Sequence, residues 1–177
     1  MSLPNKIIFL DIDGVMNSLQ SMKEIGHSFP FKDQANFSPE ALSVVKKLIE
    51  DGCHIVISST WRTCVPHSKL CFFLDVCDSS VIGITDEGDK TKKKDGEGKF
   101  PECIRGVEIK NWLENARAMN LIDESSSFVI IDDDSDMLEE QLPNFVKTDF
   151  MTRGLTWDHY QKICDVLGIP LPELIGE

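Results

Sequence analysis

The chain has no apolar run approaching a membrane span, and its first apolar stretch breaks at Asp11 with no basic flank and no small-residue cleavage site. A spanning helix needs about 20 apolar residues, so none is expected, and the early stretch does not read as a signal peptide. The expected compartment is the cytoplasm. The six cysteines, at 53, 64, 71, 77, 103 and 164, contain no CxxC pair and have no histidine at zinc-finger spacing. That pattern excludes a zinc finger and leaves reduced thiols, with Cys53 and Cys71 suited to apolar packing. The four histidines, at 27, 54, 67 and 159, show no ligand spacing either and are assigned no chemistry. An excess of positive charge is also missing. The net charge of −12 repels polyanions in bulk, which disfavours indiscriminate nucleic-acid binding but says little about a locally basic site. No internal repeat is visible.

What is present fits one globular domain spanning 1–177, since 177 residues can bury one core but not two ordinary ones. Apolar residues (41%) and charged residues (27%) stand in the balance of a water-soluble fold. Ile7 to Leu10 read as a buried strand. Residues 15–37 lack sustained periodicity and read as a loop or short flap. Ser38-Pro39-Glu40 announces a helix with apolar positions at 41, 42, 44, 45, 48 and 49, and Asp51-Gly52 stops it. Residues 53–58 form a β-branched run typical of a parallel strand. Residues 65–76 read as a helix and 80–85 as a short strand. Residues 86–99 contain no apolar side chain and read as a mobile loop within a small insertion at 62–104. Its lysines at 90, 92, 93, 94 and 99 are balanced by Asp86, Glu87, Asp89, Asp95 and Glu97, which favours a solvated loop over a nucleic-acid patch. Ile109, Trp112, Leu113 and Ala116 share a helical face ahead of the strand at 128–131. A helix through Leu142, a strand near 144–147 and a helix from Thr156 to Leu167 complete the chain. Strands alternating with helices predict a Rossmann-like parallel sheet with helices on both faces.

Three predicted strands end in polar groups: Asp11 and Asp13 after the first, Ser59 after the second, and Asp132-Asp133-Asp134-Ser135-Asp136 after the strand at 128–131. Ligands bind beyond the carboxyl ends of strands in open α/β sheets, so one site can collect all three. Gly14 lets the chain turn away from the first acidic pair. Singly, each signal is weak. Two acids before a glycine also suit an ordinary turn, an acidic run also suits a helix N-terminus, and Ser59 alone reads as a strand-end hydrogen-bonder. An EF-hand reading of Asp132, Asp134 and Asp136 fails, because Met137 and Pro143 occupy the glycine and bidentate glutamate positions.

Taken together, IIFLDIDG, HIVISST, the helix led by Arg105 and FVIIDDDSD resemble the haloacid dehalogenase (HAD) superfamily of aspartate-nucleophile phosphatases. The resemblance covers about residues 6 to 155. With RGVEIKNWL and a late RGLT, the chain is similar to the small HAD domain associated with Swiss Army Knife RNA-repair proteins. The resemblance implies a HAD-like fold with a small or absent cap and a Mg²⁺-dependent phosphomonoester hydrolase working through an aspartyl-phosphate. It implies Asp11 as nucleophile, Asp13 as acid and base, Ser59 on a phosphoryl oxygen, and Arg105 neutralising the transferring group. Ser58 competes with Ser59, and Lys110 with Arg105. Asp11, Asp13 through its backbone carbonyl, Asp132 and Asp133 are the implied Mg²⁺ ligands, with Asp136 also eligible because the acidic run leaves the register open. Arg62 and Asn17 are further candidates to line the pocket, while Trp61 and Trp112 read as packing residues.

The expected partner is a phosphorylated substrate, either a small molecule or a nucleic-acid or nucleotide phosphate end, with no membrane and no stable protein partner inferred. A receiver-like signalling module or a catalytically silent phosphate-binding domain is the alternative. A receiver carries its phosphorylated aspartate on a middle strand, where this chain has Ser59.

Overall fold

The computed structural model describes residues 4–25, 37–86 and 104–171. Its centre is a five-stranded sheet. β1 (Lys6–Leu10) lies in the middle, flanked by β2 (His54–Ile57) and then β3 (Val81–Ile84) on one side, and by β4 (Ser127–Asp132) and then β5 (Phe145–Lys147) on the other. All four pairings are parallel, with Leu10 opposite both Ile57 and Ile131. The chain steps outward from β1 to β3, then returns across the sheet to β4. The loops leaving β1 and β4 therefore diverge and open a crevice at the carboxyl edge.

Strand alternation divides the core between the two faces. Ile8, Leu10, Ile55, Ile57, Val129 and Ile131 face α2 (Pro39–Glu50), α3 (His67–Leu74) and α5 (Trp157–Leu167). Ile7, Phe9, Val56 and Ile130 face the opposite way, against α4 (Ile104–Ala118). The predicted helical stripe on α4 is the one buried: Ile109, Leu113 and Ala116 are in the core. Trp112 meets Phe9 edge-on with ring centroids 5.4 Å apart, and a Cβ on Gly83 would come within 2.9 Å of its indole nitrogen. Trp112 is thus a packing residue. The start of α2 also follows its sequence signals, since Ser38 accepts from the Ala41 N–H and Pro39 takes the first turn. Burial pushes the Cys53 thiol up to about 12, so it stays protonated and packs as an apolar group.

Two elements differ from expectation. The segment read as a flap at 15–37 contains α1 (Leu19–Ile25) in its described part, with residues 26–36 outside the described residues. The expected helix through Leu142 is a 3₁₀ helix at Glu139–Asn144. Pro143 removes an N–H that an α-helix needs, and Gln141 is committed to docking: its side chain accepts from the Leu138 N–H and donates to the Gly106 carbonyl. Residues 87–103, which hold most of the expected mobile loop, also lie outside the described residues. Among the described residues no helix is long and apolar enough to cross a membrane.

Candidate active site

Asp11 follows β1 directly, and its N–H still bonds to the Ile131 carbonyl, so it stays in register with β4. Asp132 is the last residue of β4. The sheet thereby brings the carboxylates of Asp11, Asp132 and Asp133 together, each offering an oxygen within 4.8 Å of the others. Thr148 clamps this arrangement from the end of β5: its N–H bonds to the Asp132 carbonyl, and its hydroxyl donates to the Gly14 carbonyl at 2.9 Å. No sequence motif points to Thr148.

Gly14 sits at φ +76°, and a Cβ there would lie 2.2 Å from the Asp133 carboxyl carbon. The glycine is required twice, once for its backbone and once to admit Asp133. Gly14→Ala is expected to lower stability by roughly 2–4 kcal/mol from αL strain and overpacking, read from the midpoint of a denaturant melt. A shift within error would remove this account of Asp133's position.

Two polar groups face the acidic cluster. Ser59 is fully buried and its side chain hydrogen-bonds Asp11. Arg105 places Nη1 3.7 Å from Asp11 Oδ1 and Nε 3.6 Å from Asp132 Oδ2. Ser58 meets the arginine rather than the carboxylates, its hydroxyl accepting from Arg105 Nη1 at 3.5 Å. Burial raises the Asp11 carboxyl above the ordinary range, while Arg105 and Ser59 pull it back. Asp132 is raised as well, first by burial and then by Asp11, with Arg105 opposing. Burial also raises Asp133. Three carboxyls pushed upward in one crevice hold charge that this fold alone does not fully offset. Asp132 Oδ2 is buried and accepts no hydrogen bond. A donor set of hard oxygens, one of them buried without a hydrogen bond, fits Mg²⁺.

Asp13 lies beside this cluster but has its own partners. Its Oδ1 accepts from Asn17 Nδ2 at 2.9 Å and its Oδ2 from the Trp61 indole N–H at 2.8 Å. The Gly14 N–H donates to Asn17 Oδ1, which leaves the amide nitrogen of Asn17 for Asp13. The side chain of Asp13 is therefore not among the clustered metal-ligating groups, and Trp61 is more than a packing residue. Its ring does pack against Phe37 and Phe73, but its polar edge holds Asp13.

The remaining candidates have structural positions. Arg62 is buried away from solvent, donating to the Ser59 carbonyl at 3.0 Å and to Glu108 at 2.8 Å, with side-chain exposures of 6% and 7% for the ion pair. This pair bolts the loop carrying Ser59 to α4, one turn beyond Arg105. Asp136 accepts from the Arg105 backbone N–H at 3.0 Å and so caps α4 instead of joining the acidic cluster. Lys110 is exposed and pairs with Glu140 at 3.1 Å, outside the site.

The family described as the HAD domain in Swiss Army Knife RNA repair proteins matches residues 7–160. No curated protein matches the chain.

Proposed function

The chain belongs to the family of HAD domains found in Swiss Army Knife RNA repair proteins, and from that membership we propose a Mg²⁺-dependent phosphomonoester hydrolase acting through an aspartyl-phosphate on Asp11. The family supports phosphatase-type chemistry in an RNA-repair setting. The observation that carries the finer reading is the convergence of the Asp11, Asp132 and Asp133 carboxylates beneath Ser59 and Arg105, with Asp132 Oδ2 buried and accepting no hydrogen bond.

In this reading Asp11 attacks phosphorus and the bond to the leaving oxygen breaks. Asp13 gives that oxygen its proton. In the second step Asp13 takes a proton from water, the water oxygen attacks phosphorus, and Asp11 is released with inorganic phosphate. Each Asp13 oxygen keeps one lone pair beyond the bonds to Asn17 and Trp61, so the carboxyl can carry a proton while its plane stays fixed. Ser59 and Arg105 bind the phosphoryl oxygens, and Arg105 supplies planar donors to a group whose charge spreads in the transition state. When held by Asp11, Asp132 and Asp133, Mg²⁺ supplies the positive charge that lets a dianionic phosphate approach three carboxylates.

For the substrate, we propose a phosphate end of a nucleic acid or nucleotide, supported by the RNA-repair family and opposed by the overall charge of −12. Cytoplasmic residence belongs to the same proposal. Phosphate release with Mg²⁺ is to be measured on 3′- and 5′-phosphorylated oligonucleotides, nucleotides, sugar phosphates and phosphopeptides. Turnover of the oligonucleotides above the rest supports the substrate class, and a silent panel overturns the enzymatic reading in favour of a phosphate-binding module.

Trp61→Phe tests the assignment of Asp13 more finely. The ring contacts survive while the indole donor is lost, so folding should change little. An Asp13 carboxyl no longer held by the indole is a poorer acid and base, and kcat is expected to fall at least about tenfold. The fall should be steeper for poor leaving groups, which depend most on protonation. Equal losses across leaving groups would detach Trp61 from proton transfer.

A further inference from the structure

A second cluster of donor side chains lies on different elements from the acidic crevice. His67 and Cys71 are on α3, and Asp78 is in the 3₁₀ turn (Asp78–Ser80) ahead of β3; one donor atom from each lies within 4.8 Å of the other two. We infer that His67, Cys71 and Asp78 form a site for a borderline-soft divalent cation of the zinc class.

Helix geometry brings the first two together. Residues four apart share one face of an α-helix, and Cys71 Sγ lies 3.8 Å from His67 Nδ1 and 3.9 Å from Nε2. A tetrahedral zinc, with Zn–S of about 2.3 Å and Zn–N of about 2.0–2.1 Å, holds sulfur and nitrogen about 3.6 Å apart. The cluster is a few tenths of an ångström from that separation. His67 is exposed, so its ring can rotate to close the difference.

The surrounding bonds favour the same assignment. His67 Nε2 donates to the Val81 carbonyl at 3.3 Å, which leaves Nδ1 as the lone-pair nitrogen. A ligating histidine commonly holds its second nitrogen in this way. An Asp78 carboxylate oxygen lies within 4.8 Å of both the Cys71 sulfur and a His67 ring nitrogen. Cys71 is buried against the core, whereas His67 and Asp78 are exposed. Three protein ligands then face solvent, and water fills the fourth position.

Donor chemistry separates this site from the crevice. The all-oxygen set of Asp11, Asp132 and Asp133 suits a hard cation, while a thiolate with an imidazole suits a softer one. Cation binding releases the thiol proton, forms the metal–sulfur bond, and ties α3 to the lead-in of the edge strand β3.

The test is a Co²⁺ titration of the full, reduced, metal-stripped chain in excess Mg²⁺. One equivalent should bind with a thiolate-to-cobalt charge-transfer band and the intense visible bands of tetrahedral cobalt, and Zn²⁺ should displace it. Cys71→Ser should abolish the charge-transfer band. His67→Ala and Asp78→Asn change exposed residues and should each weaken binding at least about tenfold, so they decide the matter if Cys71→Ser folds poorly. Absence of the thiolate band, or a band unchanged in His67→Ala and Asp78→Asn, overturns the assignment.

Discussion

Asp11→Asn should reduce phosphate release by roughly 10⁴–10⁶-fold, the range seen when a covalent nucleophile is removed and the binding groups stay in place. The substitution is nearly isosteric. It keeps an oxygen for Ser59 and takes a buried charge out of a position where burial already disfavours it, so the fold should survive, as near-ultraviolet circular dichroism would show. Turnover near the unsubstituted level would sink the nucleophile assignment. Asp13→Asn makes the contrast. With a substrate whose leaving group needs no proton Asp11 can still attack, but the second step loses its base, so an acyl phosphate should accumulate and be trappable on Asp11. The expected loss is smaller, about 10²–10⁴-fold, as for a positioned acid or base. The two acids of one short motif are thus separated by what builds up on the protein.

The parts of this site that could be read in advance are those carried by strand ends. Ile7 to Leu10 and Phe128 to Ile131 are apolar runs that stop at acids, and parallel neighbours with matched register necessarily deliver Asp11 and Asp132 to the same edge. Helix periodicity and packing separate Arg105 from Lys110. Five residues rotate a helix by about 140° beyond a full turn, so only one of them can face the crevice, and burial of Ile109 and Leu113 leaves Lys110 outside.

The acidic run was harder. Four aspartates within five residues have no register of their own. Asp132 is fixed by being the end of β4, and its Oδ1 accepts the Asp134 N–H in a local turn. The chain then leaves the crevice, and Asp136 meets the start of α4. That pairing joins residues 31 apart, which no local pattern encodes. The indole bond from Trp61 to Asp13 spans 48 residues and was equally invisible, because a tryptophan near a strand end satisfies packing whether or not its N–H has a task. His67 and Cys71 belong to the other class. Their spacing of four on a predicted helix is legible in the sequence, but ordinary packing neighbours share it, and Asp78 joins them only through the fold.

Asp132→Asn should have opposite effects on stability depending on Mg²⁺. In chelator, the native protein buries a carboxylate whose Oδ2 accepts no hydrogen bond and whose nearest cation, Arg105 Nε, is 3.6 Å away. Burial and the neighbouring Asp11 both disfavour its charge. An amide of the same shape removes that penalty, so the variant should melt at or above the temperature of the unsubstituted chain. With Mg²⁺ at about 100 times its dissociation constant, a ligand bound only by the native state adds about 2.7 kcal/mol. For a chain of this size that is roughly 5–10 °C in melting temperature. The unsubstituted protein should gain this increment, whereas Asp132→Asn should lose most of it and become the less stable of the two. An aspartate kept only to cap a turn would be destabilising to replace in both conditions. The reversal therefore reports a metal ligand, and a variant that retains the full Mg²⁺ shift would remove Asp132 from the ligand set. Because the readout is thermal unfolding, it holds whichever phosphorylated substrate the crevice accepts. Using Mg²⁺ with zinc-class ions chelated keeps the His67 cluster out of the measurement.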